Sequence, residues 1–365
     1  MKNTRYIRTL FLCGLLFFST PSVFSQDTNQ QVTISDKIQP LSNENIFGDT
    51  AYYNWCNSVI KGDDGKYHLF YARWKKSNSF EAWLTHSTVA HAIADQPEGP
   101  YHYVNTVLDF EKDTYKKGSM ITAHNPKIKY FNGKYYLYFI STQLNHEISN
   151  EELIKVGKIA SHRSNPDRRC LRESQRTYVA VSNSINGPWK VNPTSLLEPT
   201  GPIRTLVVNP AITQGPDKRF YLIVKGDKPG TTKFLRNQAI AISDYPDHGF
   251  VIQPEPVIED WDTEDVSIWY DHKTLRFYAV FHAHKYVGMM TSKNGIHWEK
   301  ATDFVLSKKC LKRTEGKEPI RPNRMERPFV YVEDGEPKVL CMACMVYDKK
   351  SEKEDTFIVF AKLKK

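Results

Sequence analysis

Cysteine is scarce in this chain of 365 residues, which contains six, and one of them, Cys13, lies in an N-terminal apolar run. The other five are scattered: Cys56, Cys170, Cys310, Cys341 and Cys344. An odd number without regular spacing argues against a disulfide framework. Cys341 and Cys344 have the C-x-x-C spacing of redox and metal motifs, but they fall in a predicted strand, where residues three apart face opposite sides. We therefore expect neither a redox pair nor a metal site there.

Several functional motifs are also missing. The sequence has no Gly-rich phosphate loop and no Gly-x-Ser-x-Gly nucleophile elbow, which argues against nucleotide hydrolysis and α/β-hydrolase chemistry. It has no basic helix and no RNA-binding motif, so nucleic acid is not expected as a partner. No group of His, Cys, Asp and Glu has the spacing of a metal site, so we expect no metal and no cofactor.

The N-terminus has the pattern of a secretory signal over residues 1–25. A basic start precedes an apolar run, Leu10–Phe18, and a cleavage site follows near Ser25. The run is too short to span a bilayer, and Cys13 lies inside it rather than at its end, so no membrane anchor is expected. The pattern predicts a periplasmic or secreted protein whose residues 26–365 form a single domain.

The chain is basic, with a formal net charge of +9. Lys2, Arg5 and Arg8 in the leader contribute three of these charges. A basic exported protein suits an anionic ligand, such as a sulfated or uronic-acid glycan. A generic basic surface is the alternative.

One unit of sequence occurs five times. Each copy is a short apolar run, a turn rich in Asp, Gly, Asn or Lys, and a second run dense in aromatic and β-branched residues, which is the pattern of a β-hairpin. The copies are Trp55–Trp74, Thr122–Ser141, Val207–Gly226, Glu264–His284 and Glu326–Met345. Such a unit must stack on its neighbours to bury both faces, and radial stacking gives a propeller. The predicted fold is all-β, a five-bladed β-propeller, and we expect a monomer.

Two connections depart from the repeat. Only one strand, Asp355–Lys364, follows the last copy, so we expect an N-terminal segment to supply its missing outer strand and close the ring. The connection Gln143–Arg176 is too long for a strand link, and Glu151–Ile159 within it has a partly helical pattern. Long loops in compact domains are usually functional or disordered. We expect a lid or rim that contacts substrate, with a solvated loop as the alternative.

Propeller geometry indicates where a site lies. In each blade the innermost strand starts, and the next strand ends, at the same opening of the central channel. The side chains there form a polar and aromatic ring on an apolar scaffold, as expected of a small-molecule site. The predicted substrate-binding residues are Asn57, Arg73, Trp74, Asn125, Asn209, Lys225, Glu326 and Arg327. The predicted catalytic residues are His124, Glu264, Asp265, His282 and His284.

Each candidate also has a structural explanation. The three asparagines of the ring are suited to bond nearby backbone at strand starts. His282 and His284 each fit a buried, hydrogen-bonded histidine, and Arg327 fits an ion pair with Glu326. Adjacent acids at a channel mouth, Glu264 and Asp265, are harder to explain structurally.

Three features carry a resemblance to known proteins: the five blades, the innermost strands that start as Asn-Pro-x-Ile, and the outer Gly-Pro-Trp turns. In these features the chain resembles the clan of glycoside hydrolase families 43, 32, 68 and 117. In family 43 an Asp of the first blade is the general base, an Asp of the third tunes its pKa, and a Glu of the fourth is the general acid. The resemblance places Asn57 at the first position and Asn209 at the third, and only the fourth keeps acids, Glu264 and Asp265. Because Asn cannot take a proton from water, the inverting hydrolase mechanism does not carry over intact.

The chain also resembles unclassified carbohydrate-active proteins of marine Bacteroidetes that process ulvan oligosaccharides, including an ulvan-oligosaccharide dehydratase type. Cations that neutralise a uronic-acid carboxylate acidify the C5 proton; a neutral His or a Tyr removes it, and the group on C4 leaves. We therefore expect an anionic oligosaccharide substrate and elimination at a uronic-acid residue. Exo-acting hydrolysis, with Glu264 or Asp265 as acid and Glu326 or a displaced carboxylate as base, is the main alternative. A glycan-binding propeller without catalysis is the third.

Overall fold

The computed structural model describes residue 1 and residues 31–231, 235–259, 262–283, 285–307, 309–314, 316–348 and 353–364. Almost all of the expected leader, and the candidate His284, lie outside these ranges. Within them, none of the helices has the length and apolar character needed to cross a membrane.

Short strands dominate the chain. The strands of its first half are β1 (Ile46–Phe47), β2 (Tyr52–Lys61), β3 (Tyr67–Lys75), β4 (Thr88–Ala94), β5 (His102–Leu108), β6 (Thr114–Tyr115), β7 (His124–Phe131), β8 (Lys134–Ser141), β9 (Ile148–Ser149), β10 (Arg176–Ser182) and β11 (Lys190–Val191). The second half contains β12 (Arg204–Gln214), β13 (Phe220–Asp227), β14 (Arg236–Ser243), β15 (Val251–Pro256), β16 (Glu264–Asp271), β17 (Arg276–Ala283), β18 (Tyr286–Ser292), β19 (Glu299–Lys300), β20 (Arg324–Glu333), β21 (Glu336–Asp348) and β22 (Lys353–Lys362).

These strands form five four-stranded antiparallel sheets in the described ranges. Blade 1 is β2–β5; blade 2 is β7, β8, β10 and β11; blade 3 is β12–β15; blade 4 is β16–β19; and blade 5 is β20–β22 with β1. Strands β6 and β9 form a separate ribbon. The arrangement is a five-bladed β-propeller, so the predicted fold is confirmed.

Tight turns fix the register of the hairpins that the repeat predicted. The β7–β8 turn has only Asn132 and Gly133 between its strands, and both have positive φ, 50° and 78°. Asp334 and Gly335 turn β20 into β21 in the same way, with φ of 52° and 72°. Two successive left-handed residues match the twist of a hairpin, and Asn-Gly and Asp-Gly tolerate that conformation best.

The apolar core lies between neighbouring blades, because alternate side chains of each strand face opposite sides. In β3, Leu69 and Tyr71 pack toward blade 5, whereas Phe70 packs toward blade 2. The same rule separates Cys341, which packs toward blade 1, from Cys344, which packs toward blade 4. The two side chains of the C-x-x-C pair therefore face opposite sides of the strand, as expected. Both are free thiols.

The ring is closed by the N-terminal strand, as predicted. Strand β1 pairs with β22 through Ile46–Val359 and Phe47–Ile358, and a bridge between Ile38 and Leu363 extends the contact. Phe47 packs edge-on against Tyr71 of blade 1, with ring centroids 5.0 Å apart. A two-residue strand therefore joins blade 5 to blade 1.

The long connection inside blade 2 is folded. Its first helix, α2 (Asn150–Gly157), confirms the expected helical pattern, and a second helix, α3 (Pro166–Glu173), was not predicted. Both pack on the short helix α1 (Trp83–His86), with Leu84, Leu153 and Leu171 in one apolar cluster. The remaining helices are single 3₁₀ turns at Ser35–Lys37, Asn43–Asn45, Lys76–Asn78 and Phe80–Ala82.

Phe47→Ala tests the closure. We expect it to lower the free energy of unfolding by about 3 kcal/mol, because a buried aromatic ring leaves a cavity at the junction of two blades. Phe304→Ala, at an exposed phenylalanine, is the matched control and should change it by less than about 0.5 kcal/mol. Denaturant unfolding measures both, and equal effects would contradict the closing role of β1.

Candidate active site

A β-bulge interrupts the innermost strand of every blade near its start. At each bulge one residue other than glycine has a left-handed backbone: Cys56 (φ 58°), Asn125 (51°), Asn209 (56°), Asp265 (58°) and Arg327 (56°). Bulges re-aim side chains, and left-handed backbone at such residues is a strain that clusters at functional sites. Five equivalent, re-aimed side chains thus surround the channel, one from each blade.

The bulges correct the alignment of the first blade by one residue. The left-handed residue there is Cys56, so Cys56 rather than Asn57 is the equivalent of Asn125 and Asn209. Asn57 is fully buried and donates a 3.0 Å hydrogen bond from Nδ2 to the carbonyl oxygen of Arg327. The sequence concealed the shift because blade 1 lacks the proline that follows the bulge residue in blades 2 and 3.

Four of the bulge residues are joined by side-chain hydrogen bonds. Asn125 Nδ2 donates to Asn209 Oδ1 at 3.0 Å, and Asn209 Nδ2 donates to Asp265 Oδ1 at 2.5 Å. The Arg327 guanidinium donates to the same Asp265 oxygen. Arg327 therefore pairs with Asp265, and the alternative pair with Glu326 is not what the structure contains.

Asp265 also contacts the imidazole of His282, whose Nδ1 lies 3.4 Å from Asp265 Oδ2. Burial opposes ionisation of Asp265, but Arg327 and His282 outweigh it and lower the pKa of the carboxyl far below its usual range. An ionised carboxylate beside Nδ1 favours the tautomer with a proton on Nδ1, so the lone pair of the neutral ring lies on Nε2.

His124 is a second buried imidazole. Its Nδ1 lies 2.8 Å from Ser87 Oγ, its Nε2 lies 3.6 Å from Cys56 Sγ, and its ring contacts Trp83 at 5.1 Å. Burial lowers the pKa of His124 well below its ordinary value, and Arg327 adds to the effect. Burial also raises the pKa of the Cys56 thiol to about 12. At neutral pH this pair is a neutral imidazole beside a protonated thiol.

His124 and His282 line a cavity of about 290 Å³ at the opening of the channel. An aromatic wall faces it, made of Trp55, Trp74, Phe80 and Trp83. A concave site with aromatic walls and a few convergent polar groups is the usual form of a small-molecule site.

Charged side chains complete the lining of the cavity. Six of them are Arg or Lys, and four are Asp or Glu. Each of these carboxylates is ion-paired: Glu81 with Arg168, Asp227 with Arg172, Glu264 with Lys225 and Arg236, and Glu326 with Arg324. Two carboxylates beside the lining pair with the same cations, Asp265 with Arg327 and Asp262 with Arg236, so the six cations are matched by six carboxylates. The carboxylates that line the cavity are held as ion-pair partners.

Lys225 lies at the centre of this arrangement. Its Nζ is 2.5 Å from Glu264 Oε2, and both side chains are only 13% exposed. Burial lowers the pKa of Lys225 to about 7, although Asp265 opposes the shift. An amine in this range can give up or accept a proton near neutral pH.

The long connection forms one side of the cavity, as expected of a rim. Arg168 and Arg172, four residues apart on its second helix, line the space from one helical face, and Gln175, just beyond the end of the helix, lines it too. Asn165 caps this helix by accepting from the backbone N–H of Arg168 at 2.9 Å.

The predicted site residues are distributed unevenly. Eight of them line the cavity: Trp74, His124, Asn209, Lys225, Glu264, His282, Glu326 and Arg327. Beside the cavity, the hydrogen-bonded bulge residues include Asp265 and Asn125. Asn57 is bonded to the backbone of Arg327. Arg73 points elsewhere: it stacks between the rings of Tyr52 and Tyr103 and lines a separate cleft of about 70 Å³.

The repeat pattern did not reveal the ion-pair partners. These are Glu81, Arg168, Arg172, Asp227, Arg236 and Arg324. Asp227 is the last residue of β13, so it lies at the hairpin end that also carries Lys225. Arg236 is the first residue of β14, and the rule used for hairpin ends would have found it if extended to the third strand. Glu81 lies in a 3₁₀ turn and carries no such signal.

No three His, Cys, Asp or Glu side chains in the described ranges are arranged to hold a metal ion.

Asp265→Asn tests the central pair. We expect it to cost about 3 kcal/mol of stability or more, because it leaves the buried Arg327 guanidinium without a countercharge. The double variant Asp265→Asn/Arg327→Met should recover part of the loss. Asp95→Asn, in an exposed pair with Lys66, is the control and should change stability by less than about 1 kcal/mol. Purely additive losses in urea unfolding would argue against the coupling.

Comparison with known proteins supports the fold alone. No family model matches the chain, and a search of curated proteins finds no significant match. Among solved structures, a family 117 glycoside hydrolase of Zobellia galactanivorans is similar over 89% of this chain and 88% of its own, with 14% identity and a TM-score of 0.56. A family 43 β-xylosidase/α-arabinofuranosidase from a compost metagenome, in complex with xylotriose, is similar over 90% of this chain and 95% of its own, with 14% identity and a TM-score of 0.52. A Dyadobacter fermentans protein is similar over 90% of this chain and 100% of its own, with 12% identity and a TM-score of 0.59.

Proposed function

We propose that this chain is an exported enzyme that degrades oligosaccharides of an anionic, ulvan-like polysaccharide by elimination at a uronic-acid residue. One observation carries the proposal: the carboxylates that line the cavity are ion-paired, while the buried imidazole of His282, which lines the same cavity, has its Nδ1 3.4 Å from the Asp265 carboxylate. The likeness in fold to glycoside hydrolases supports a glycan as the substrate.

The six Arg and Lys side chains that line the cavity support an anionic sugar. A uronic acid at the cavity floor would place its carboxylate near Lys225 and Arg327, and the aromatic wall would contact the sugar ring. Neutralising the carboxylate lowers the energy of the carbanion-like transition state, because charge that develops at C5 spreads into it.

The reaction follows from the groups present. His282 Nε2 takes the proton from C5, the electron pair of that bond forms the C4=C5 double bond, and the C4–O bond breaks. The leaving oxygen takes a proton from the Lys225 ammonium, so atoms and charge balance. If C4 carries a sugar the step is a lyase cleavage, and if it carries a free hydroxyl it is a dehydration.

Hydrolysis is the second candidate. The first-blade position that the resemblance assigns to the general base is Cys56, whose raised pKa keeps it a thiol at neutral pH and unable to accept a proton. One observation favours hydrolysis: burial raises the pKa of Glu81, although Arg168 opposes it, and a raised pKa suits a general acid. A glycan-binding module without turnover is the third candidate.

His282→Ala separates these candidates. Incubation of the wild type with uronic-acid oligosaccharides should produce ultraviolet absorbance from the new conjugated double bond, and mass spectrometry should show no gain of water. His282→Ala should lower kcat by at least about 100-fold, the usual contribution of a general base. His248→Ala, in an exposed His–Asp pair, is the control.

Three results count against elimination at this base. Saturated products that gain one water would support hydrolysis, and Glu81→Gln should then be the severe variant. Binding without any product would support the third candidate. Full activity in His282→Ala would remove that residue from the mechanism, and His124→Ala would then identify the other imidazole as the base.

The pH dependence tests Lys225. Since burial lowers its pKa to about 7, the ammonium form is lost as pH rises through neutrality, and kcat should fall on the alkaline side with an apparent pKa near that value. Lys225→Arg keeps the charge but cannot release a proton, so kcat should drop about 100-fold and the alkaline limb should disappear. An unchanged limb in Lys225→Arg would assign it to another group.

A further inference from the structure

Arg168 has a hydrogen-bonding capacity that the protein does not use. It is 3% exposed and lines the cavity, and its Nη2 donates to Glu81 Oε2 at 3.0 Å. Its Nη1 is buried and has no hydrogen-bond partner. A buried cationic donor without a partner is costly and rare in folded proteins, so each instance calls for a physical reason.

The neighbouring cations differ from Arg168. Arg172 is held by both oxygens of Asp227, at 2.6 and 3.0 Å, and Arg324 donates to Glu326 at 2.9 Å while its guanidinium lies over Phe80.

The surroundings of Arg168 are positive. Burial lowers the pKa of His162, and Arg172, Arg163 and Arg168 lower it further. Asp227 opposes this shift. Glu81 and Asp227 are both carboxylates of this wall, and each is paired with one of its arginines. Nη1 of Arg168 is the donor that these pairs leave available to an anion.

We propose that Arg168 Nη1 forms an oxyanion subsite on the α3 side of the cavity, which binds a second acidic substituent of the substrate, separate from the carboxylate at the reacting sugar. The ligand class is an oxyanion with at least one free oxygen, supplied by a sulfate ester or by a second carboxylate. This inference rests on the proposed function for the nature of its substrate, since it deepens the account of that site.

The helix explains how such a subsite is built. Arg168 and Leu171 lie three residues apart on α3, and both are buried. Leu171 fixes the helix in the apolar cluster it shares with α1 and α2, so the guanidinium is held in place before a ligand arrives. Arg169, the next residue, points to solvent and bonds the carbonyl of Arg163.

Inorganic sulfate and acetate are the probes. Titration of the wild type with each, followed by calorimetry and by the rise in melting temperature, should show saturable binding, because a ligand that binds only the folded state stabilises it. Arg168→Gln should weaken this binding by about tenfold or more, as expected for loss of a charged hydrogen bond. Arg169→Gln, on the same helix, should bind as the wild type does.

Two further variants keep the test decisive if Arg168→Gln folds poorly. Arg168→Lys keeps the charge but loses the forked geometry, and should bind sulfate more weakly than the wild type. Glu81→Gln removes the competing carboxylate and should tighten sulfate binding. Preference for sulfate over acetate indicates a sulfate ester, and the reverse preference indicates a carboxylate.

Turnover of matched oligosaccharides with and without sulfate completes the test. Loss of Arg168 should lower kcat/KM by about tenfold or more on the sulfated form only, if the substituent is sulfate. The subsite would be refuted if Arg168→Gln bound sulfate as tightly as the wild type does. It would also be refuted if Arg169→Gln lost as much sulfate affinity as Arg168→Gln. The anion titration needs no turnover, so a bound anion without any elimination product would refute the proposed function and leave the subsite standing.

Discussion

The buried contact between Arg327 and Asp265 is the constraint on which the rest of the site depends. It joins the innermost strands of blades 4 and 5, and Asn209 extends it to blade 3 and Asn125 to blade 2. An ion pair is stable inside a protein only when its remaining donors and acceptors are well placed. The bulges bring the paired groups together, since each one turns a side chain out of its strand and into the ring, but Asp265 Oδ2 and Arg327 Nε remain buried without a hydrogen bond to any described residue.

This constraint also determines how the charged groups of the cavity are paired. Asp265 is paired with Arg327, and each carboxylate that lines the cavity is paired with a cation. Lys225 and His282 differ in their surroundings: burial lowers the pKa of Lys225 to about 7, whereas His282 lies beside the Asp265 carboxylate. One fold can carry different chemistry when the residues at such positions change.

The sequence was sufficient for the fold and for part of the site. Five repeated hairpins with alternating apolar residues predict a propeller, and an incomplete last blade predicts closure by an N-terminal strand. The same pattern located His282 and Lys225, because both lie on the second strand of a hairpin. Asn57 was misplaced, since a bulge adds a residue without changing composition, and pattern matching relied on a proline that blade 1 lacks.

The contribution of α3 was beyond the repeat pattern. Its arginines are visible in the sequence, but their helical phase, which sends Arg168 inward and Arg169 outward, emerges only when Leu171 docks on α1. Packing between distant elements, not local propensity, decides which charges face the cavity.

The pairing of β1 with β22 has a consequence for how the molecule is made. Ile46 finds its partner, Val359, only after nearly all of the chain has been synthesised. Until then blade 5 is incomplete, and the face of blade 1 that will cover Phe329 and Phe360 remains open to water. Contacts this distant along the chain are slow to form and leave apolar surface and strand edges exposed meanwhile. Until Val359 is available, the open strand edges of blades 1 and 5 can pair with strands of other chains, so ring closure also protects the protein from aggregation.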